Sequence, residues 1–383
     1  MKRINMFDTL STELANKHLF NNFIKKGILP NPDIMLSKLG KNYEIYREMK
    51  NDSHLWSCIQ SRKSGTMALE YLIEANGASD QTVNLIERAF SMIDIYKLQS
   101  DILESIFFGI QIIEIIWEYK LIDDKYYILP SQLIPRIPDG FAFDEKGGLM
   151  IKLKFNETIK APEYKFIVAR NEGSNNNPYG EPVLNKCYWY VTFKNGVTRF
   201  WINYAEKYGS PLLLAQFQRG ASQEEAEKLA DALAEMSQDA VIVTPADFKI
   251  DIAESSRSAS VELFRELIKY CNNEISKAVL SQTLTTEIDN GSYAAAEIHY
   301  KIRKELIKTD SYLASNAINK IIEYTVKLNN EGNNFPKIKY IINEADNNNR
   351  IDRDIKLNNA GIKLSKNYWM RTYGLKDEDL EIV

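Results

Sequence analysis

Apolar residues recur three and four apart over long stretches of this chain, the spacing of amphipathic helices, and turn formers mark the gaps between them. From Asp52 to about Lys63, Leu55, Trp56 and Ile59 share one face. Asp80 is placed to cap a helix bearing Val83, Ile86, Phe90 and Ile93. The next helix carries Ile102, Ile106 and Phe107 and stops at Gly109. Ile110 to Tyr119 is rich in β-branched and aromatic residues and predicts a strand. Asp123-Asp124 suits the hairpin turn and Tyr126 to Leu129 the return strand. Short strands continue to about Val168, punctuated by Pro130, Pro135, Pro138 and Gly147-Gly148. Residues 1–50 are polar, broken by Pro30 and Pro32, and predict a peripheral arm or a lightly packed helical segment.

Residues 171–180 form the clearest loop, and an aromatic helix follows with Tyr188, Trp189, Phe193, Phe200, Trp201, Tyr204 and Tyr208. Gly209 and Pro211 end it. Aromatics at helical spacing point to core or subunit interface before a base-stacking platform. Ser222 and Glu225 make a capping box, opening a short helix with Ala226, Leu229, Ala230 and Leu233. Two strand-like runs, Val241–Val243 and Phe248–Ile252, complete a small unit at about 210–256. It sits between two long helices as an insertion. The second of these starts near Ser258 or Ser260, with Val261, Phe264, Leu267, Cys271, Ile275 and Ala278 on one face. A polar loop at 281–291 intervenes. Ser292 can then cap a helix running from Tyr293 to about Lys327, roughly 50 Å long. A strand at Ile338–Ile342 and a charged helix-loop-helix piece close the chain.

Composition narrows the chemistry. The 383 residues are 44% hydrophobic and 26% charged, as in a globular protein with a sizeable core. The net charge of −4 argues against a binder that grips nucleic acid through a basic surface. Cys58, Cys187 and Cys271 are scattered and unpaired in sequence, which predicts buried thiols in a reducing compartment. No secretory leader is expected, because Lys2 and Arg3 precede a mixed polar run. The apolar stretch Ile102–Trp117 is broken by Glu104, Gly109, Gln111 and Glu114 and predicts no membrane span. No phosphate-binding loop, nucleophile elbow or metal-ligand spacing is present. Glu287 and Asp289 lie in a Thr- and Asn-rich loop and read as a solvated surface before a metal site. No catalytic residue, metal or cofactor is expected.

Several runs together resemble the portal, or head–tail connector, proteins of Mu-type tailed phages and prophages. They are Gly109 with Glu114 and Trp117; Asn177, Pro178, Tyr179 and Gly180; Trp189 with Lys194; Trp201; and Glu206 to Gly209 with Pro211. Further on come Gln282, Thr283, Leu284, Thr285 and Thr286, then Ser292, Tyr293 and the alanines after them, and His299. The resemblance covers about residues 50–380, and Ser281 stands where the family carries glycine. The chain is somewhat short for the family, so a C-terminal extension is expected to be missing.

The resemblance implies an α+β portal fold. Residues 1–50 would be an arm and 51–175 an α/β wing. Long paired stem helices would span 176–209 and 258–281, with a small α+β clip inserted at 210–257. A tunnel loop at 282–291, a long wing helix at 292–335 and a helical crown-like segment at 336–383 would follow. It implies a homo-oligomeric ring, usually of twelve, at one capsid vertex of the virion, assembled in the bacterial host cytoplasm. Double-stranded DNA would pass through it without sequence specificity. Its partners would be the terminase large subunit, a head–tail adaptor, and major capsid and minor head proteins, with no membrane. By order, Thr285, Thr286, Glu287, Asp289 and Asn290 would face DNA. Trp189, Phe193, Phe200, Trp201 and Tyr204 are the candidates for the subunit interface. Duplex DNA carries one charge per roughly 1.7 Å, so a 20 Å channel segment faces about twelve phosphates, and a weakly interacting acidic wall suits passage. The alternatives are a capsid scaffold without a channel, or a metal-dependent nuclease using Glu287 and Asp289.

Overall fold

A computed structural model of the chain describes residues 28–29, 31–33, 36, 43–153, 157–174, 176–208, 213–217, 222–236, 241–245, 257–283, 293–342 and 347–373. The elements begin with β1 (Ile28–Leu29), α1 (Glu44–Met49), α2 (Ser53–Met67), β2 (Tyr71–Glu74), α3 (Asp80–Ser91) and α4 (Ile95–Phe108). Strands β3 (Ile110–Ile122), β4 (Lys125–Arg136), β5 (Phe141–Asp144), β6 (Leu149–Lys152), β7 (Thr158–Lys160) and β8 (Phe166–Arg170) follow. Then come α5 (Val183–Tyr208), β9 (Leu213–Phe217), α6 (Gln223–Met236), β10 (Val241–Pro245) and α7 (Arg257–Leu280). The last elements are α8 (Tyr293–Asn329), β11 (Lys337–Tyr340), α9 (Asn347–Asn359) and α10 (Lys366–Tyr373). Two compact units result, residues 1–68 with 73–338 and residues 69–72 with 339–383. Among the described residues no helix is long and apolar enough to cross a membrane.

The first unit is organised around the hairpin β3–β4. Its turn residues Asp123 and Asp124 have φ of 48° and 63°, the left-handed pair that matches strand twist in a two-residue turn. The return strand is longer than the predicted Tyr126–Leu129, for it continues through Pro130 and Pro135 to Arg136. Proline is tolerated because β4 is an edge in the order β4-β3-β8, and the register shifts between Ile116 and Trp117, where Pro130 pairs. The outer edge of β4 is capped by a side chain. Asn329, at the end of α8, accepts from the Ile128 amide at 2.7 Å and donates to its carbonyl at 2.8 Å. A side-chain amide thus completes the ladder at an edge otherwise open to pairing with another chain.

A second antiparallel sheet, ordered β1-β5-β6-β7, lies in the same unit. The core gathers Tyr46, Leu55, Ile59, Leu103, Phe107, Ile112, Phe143, Leu184, Cys187 and Ile275. Tyr43, Ile45, Tyr46 and Met49 are all buried, so the stretch at 43–49 belongs to the core and not to a peripheral arm. A single helical turn is too short to display a period, which hid this from the pattern. One face assignment and one cap also change. Trp56 is exposed, with the Lys50 ammonium 5.5 Å from its ring, and the cap of α3 is Ser79, whose hydroxyl accepts from the Thr82 amide.

Several buried charges are matched by opposite ones. Glu104 takes Lys50 at 2.8 Å and Lys63 at 2.6 Å. Burial pushes the Glu104 carboxyl up, but Lys63 and Lys50 outweigh it and hold the group below the ordinary glutamate value. Asp52 caps α2 through the Leu55 amide and pairs with Lys194 of α5 at 2.6 Å. Lys194 also reaches Asn272 of α7 at 2.9 Å, so one ammonium joins three helices. All three cysteines are buried free thiols, and burial pushes Cys187 up to about 12, leaving it protonated and inert.

The predicted capping box of α6 forms, with the Ser222 amide donating to Glu225 at 2.9 Å and the Glu225 amide to the Ser222 hydroxyl at 3.3 Å. β10 pairs in parallel with β9, a strand the sequence pattern did not announce. The run Phe248–Ile252 lies outside the described residues. In the second unit, Asp354 of α9 is fully buried and accepts from the Tyr368 hydroxyl of α10 at 2.8 Å, locking the predicted helix-loop-helix.

Candidate functional site

The long helix α5 is launched from a latch. Asn177 donates to the Gly180 carbonyl at 3.0 Å while its own side-chain oxygen accepts from the Tyr179 amide, closing a tight turn. The Tyr179 ring meets Phe143 edge-on at 5.0 Å, and its hydroxyl donates to the Leu29 carbonyl at 2.9 Å. Gly180 crosses Gly109 back to back. A Cβ on Gly180 would sit 2.2 Å from the Gly109 carbonyl oxygen, and one on Gly109 would sit 2.9 Å from the Tyr179 oxygen. Both residues have positive φ, 70° and 82°. The Asn171 amide donates to the Gly109 carbonyl at 2.9 Å, and the Glu181 amide to the Asn171 carbonyl at 2.8 Å. The end of α4, the end of β8 and the start of α5 are therefore one joint. The sequence motif Asn177–Gly180 is this joint.

From it α5 runs against α7, and the chain between them carries β9, α6 and β10. Of the five aromatics singled out on α5, two face α7. Trp201 lies on Phe264 with centroids 6.4 Å apart, and Tyr204 meets the same ring at 5.8 Å. The other three point away from the core: Trp189 is 49% exposed, Phe193 52% and Phe200 68%. Trp189 stacks on Phe193 at 5.7 Å. On α7, Val261 and Leu267 are exposed, not buried on the Cys271 and Ile275 face as their spacing predicts, and Leu263 and Tyr270 are exposed too. Tyr270 reaches Tyr190 of α5 at 6.2 Å. Leu184, Cys187, Val191, Cys271, Ile275 and Val279 fill the opposite, buried side. The pair is thus apolar on both faces, which a surface helix is not.

At its far end α7 meets α8. Ser281 adopts φ of 57° at the position where the related proteins were expected to carry glycine. Its amide still donates to the Lys277 carbonyl at 3.0 Å, so the residue serves as a left-handed helix stop. Because a side chain in this region costs about 1 kcal/mol, Ser281→Gly is expected to raise stability by up to about 1 kcal/mol in urea unfolding; an unchanged or lower midpoint would show the hydroxyl outweighs the strain. Gln282 turns inward, 5% exposed, and its side-chain oxygen lies 2.6 Å from His299 Nδ1 on α8. Arg62 of α2 completes the junction. It holds Asp310 of α8 by two bonds, 2.8 and 2.9 Å, and donates to the Val279 carbonyl at 2.8 Å. Neither Arg62 nor Asp310 belongs to a sequence motif. The signal was present, since Arg62 falls on the Leu55 and Ile59 face where a charge needs a partner.

The residues expected to face DNA, Thr285, Thr286, Glu287, Asp289 and Asn290, lie outside the described residues, as do Leu284, Ser292, Gly209 and Pro211. Thr283 is half-buried at the end of the described segment, and Tyr293 opens α8. Among the described residues no group of three His, Cys, Asp or Glu is placed to hold a metal.

The profile of the family described as the portal protein of Mu bacteriophage matches residues 43–375. The chain belongs to that family of phage portal proteins. It is 28% identical over 163 residues to the portal protein of Escherichia phage Mu, covering 41% of this chain and 32% of that one. Protein gp29 of the Mu-like prophage FluMu of Haemophilus influenzae is 25% identical over 188 residues, covering 47% and 36%. The matched stretches thus span about a third of the length of these relatives. Among solved structures, a chain in the virion of the native gene transfer agent particle superposes with TM-score 0.56 at 12% identity, over 87% of this chain and 93% of that one. A chain in the neck of that particle, computed with C12 symmetry, gives 0.52 at 12% identity over 91% and 95%. At that identity the likeness is one of fold.

Proposed function

We propose that the chain is the subunit of a closed ring at a capsid vertex, a channel for double-stranded DNA during packaging and ejection. The observation that carries this reading is the layout of α5 and α7 in a member of the portal family. Two long helices run side by side, a small unit is inserted between them, and a polar segment follows at once before the 37-residue α8. Residues 176–209 and 258–281 are the stem, 210–257 the clip, 282–291 the tunnel loop, 51–175 and 292–335 the wing, and 336–383 the crown-like end. The C12 symmetry of the gene transfer agent neck supports twelve copies. Thr285, Thr286, Glu287, Asp289 and Asn290 face the DNA. With a net charge of −4, the subunit does not hold the phosphates it passes. The ring docks the terminase large subunit and a head–tail adaptor and sits among major capsid and minor head proteins. It assembles in the host cytoplasm.

A ring needs a heterologous contact, one face of a subunit against a different face of the next, and permanent contacts of this kind bury roughly 2,000 Å² or more. Trp189, Phe193 and Phe200 are the stem's contribution, because they are large, apolar and exposed. Trp201 and Tyr204 support that face from beneath by packing on Phe264. The test is negative-stain electron microscopy with light scattering. Twelve chains of 44.1 kDa give a particle of about 530 kDa with a central hole. Trp189→Ser with Phe193→Ser is expected to yield a folded chain with the parent melting temperature and no ring. Trp201→Ala is expected to lower that temperature, since it empties an internal contact. A parent protein that stays monomeric at every concentration, with and without capsid components, would return the reading to a scaffold.

A further inference from the structure

We infer that Gln282 and His299 form a bolt across the base of the segment between α7 and α8, and so fix where that segment is presented. The inference rests on the channel reading only for what the segment meets. Both residues are family-like positions, 17 apart in the chain. The structure joins them at 2.6 Å. The left-handed turn at Ser281 is what aims Gln282 inward, and Ser61, Arg62, Leu280, Arg303, Leu306 and Ile307 line a crevice with it.

A bolt holds only if both of its sides are anchored, and both are. The α7 side is tied to α2 through Arg62 and the Val279 carbonyl. The α8 side is tied to the same arginine through Asp310. α8 also lies so close on α2 that a Cβ at Gly65 would meet the Ile307 side chain at 2.7 Å. With Gln282 and His299 joined, the end of α7 and the second turn of α8 are held at one fixed separation. Two chain ends held at one separation leave whatever joins them fewer accessible arrangements than two free ends do. Neither residue is placed to touch DNA; each acts on the segment, as a positioning residue. His299 Nδ1–H donates to the Gln282 oxygen in this arrangement, so the bond needs an acceptor at 282 and a donor at 299.

The test compares the full-length parent with Gln282→Met, which keeps the length and removes the acceptor, and Gln282→Glu, which restores one. Amide hydrogen exchange is followed along the chain, with ring mass and DNA packaging measured in parallel. In Gln282→Met, exchange at 281–283 and 293–299 is expected to rise about tenfold, as for loss of one local hydrogen bond, while β3 and α5 keep the parent rates. Ring mass stays at the parent value, packaging falls, and Gln282→Glu recovers both exchange and packaging. Unchanged local exchange overturns the bolt. An equal rise over the whole chain overturns it too, by showing ordinary core destabilisation. A local rise with packaging unchanged overturns the positioning role. Failure of the channel reading would be seen separately, as a parent protein that makes no ring, with the exchange comparison still readable.

Discussion

Gly180→Ala should unfold this protein more readily by about 2–5 kcal/mol, a large fraction of the stability of an ordinary domain. Two costs add. An alanine at φ of 70° costs about 1–2 kcal/mol by itself. The new methyl would also sit 2.2 Å from the Gly109 oxygen and 2.6 Å from the Asn171 oxygen, both backbone atoms, so relief requires moving the end of α4 or of β8. Overpacking of this kind costs about 1–3 kcal/mol. Gly147 is the control: its φ is 77° but nothing lies within 4 Å of its missing Cβ, so Gly147→Ala should cost only about 1–2 kcal/mol. Guanidinium unfolding, read at the midpoint with the slope held constant, separates the two. Equal losses at both sites would mean that the crossing of Gly109 and Gly180 yields easily. A loss confined to Gly180 would also displace the first turns of α5, and with them Trp189 and Phe193.

Arg62→Met should be at least as damaging, at about 3–5 kcal/mol, and here the second mutation is more telling than the first. The arginine satisfies the Asp310 carboxylate, whose side chain is 4% exposed, and the Val279 carbonyl at the end of α7. Methionine fills the space and leaves a buried negative charge without its partner. Arg62→Met with Asp310→Leu removes both charges, and replacing a buried pair with apolar groups is often near neutral. The double variant should therefore regain most of the loss, short of the roughly 1 kcal/mol for the Val279 carbonyl. Arg62→Lys should recover less, because an ammonium cannot reach two carboxylate oxygens and a carbonyl in one plane. A double variant no more stable than Arg62→Met would show that the arginine acts through packing and not through charge.

The distinction between local and long-range information runs through each of these sites. The sequence by itself determined the elements whose rules are local. Asp52 caps α2, Gly109 stops α4, Asp123-Asp124 turns the hairpin, and Ser222 and Glu225 box the start of α6, each within a few residues of its partner. The long period of α8 and the insertion between α5 and α7 were legible for the same reason, since helical spacing repeats over many turns. The ordered runs around Asn177–Gly180 and Gln282–Thr286 carry the resemblance to the portal family in their residue order and spacing alone.

Tertiary structure alone decided what each of those residues touches. Gly109 and Gly180 are 71 positions apart, and no spacing rule links residues whose backbones merely cross. Pro130 could lie within β4 only because that strand is an edge with a register shift, a property of the sheet and not of the strand. Periodicity placed Leu267 on the buried face of α7, yet Cys271, Ile275 and Val279 are buried farther along that helix and Leu267 is exposed. Trp189 and Trp201 looked alike on the helix, but the position of Phe264 turned one into internal packing and left the other facing outward. Arg62, Asp310, Gln282 and His299 became a junction because three helices meet there. Burial makes an unpaired charge or amide costly, and only the packed fold could bring each its partner.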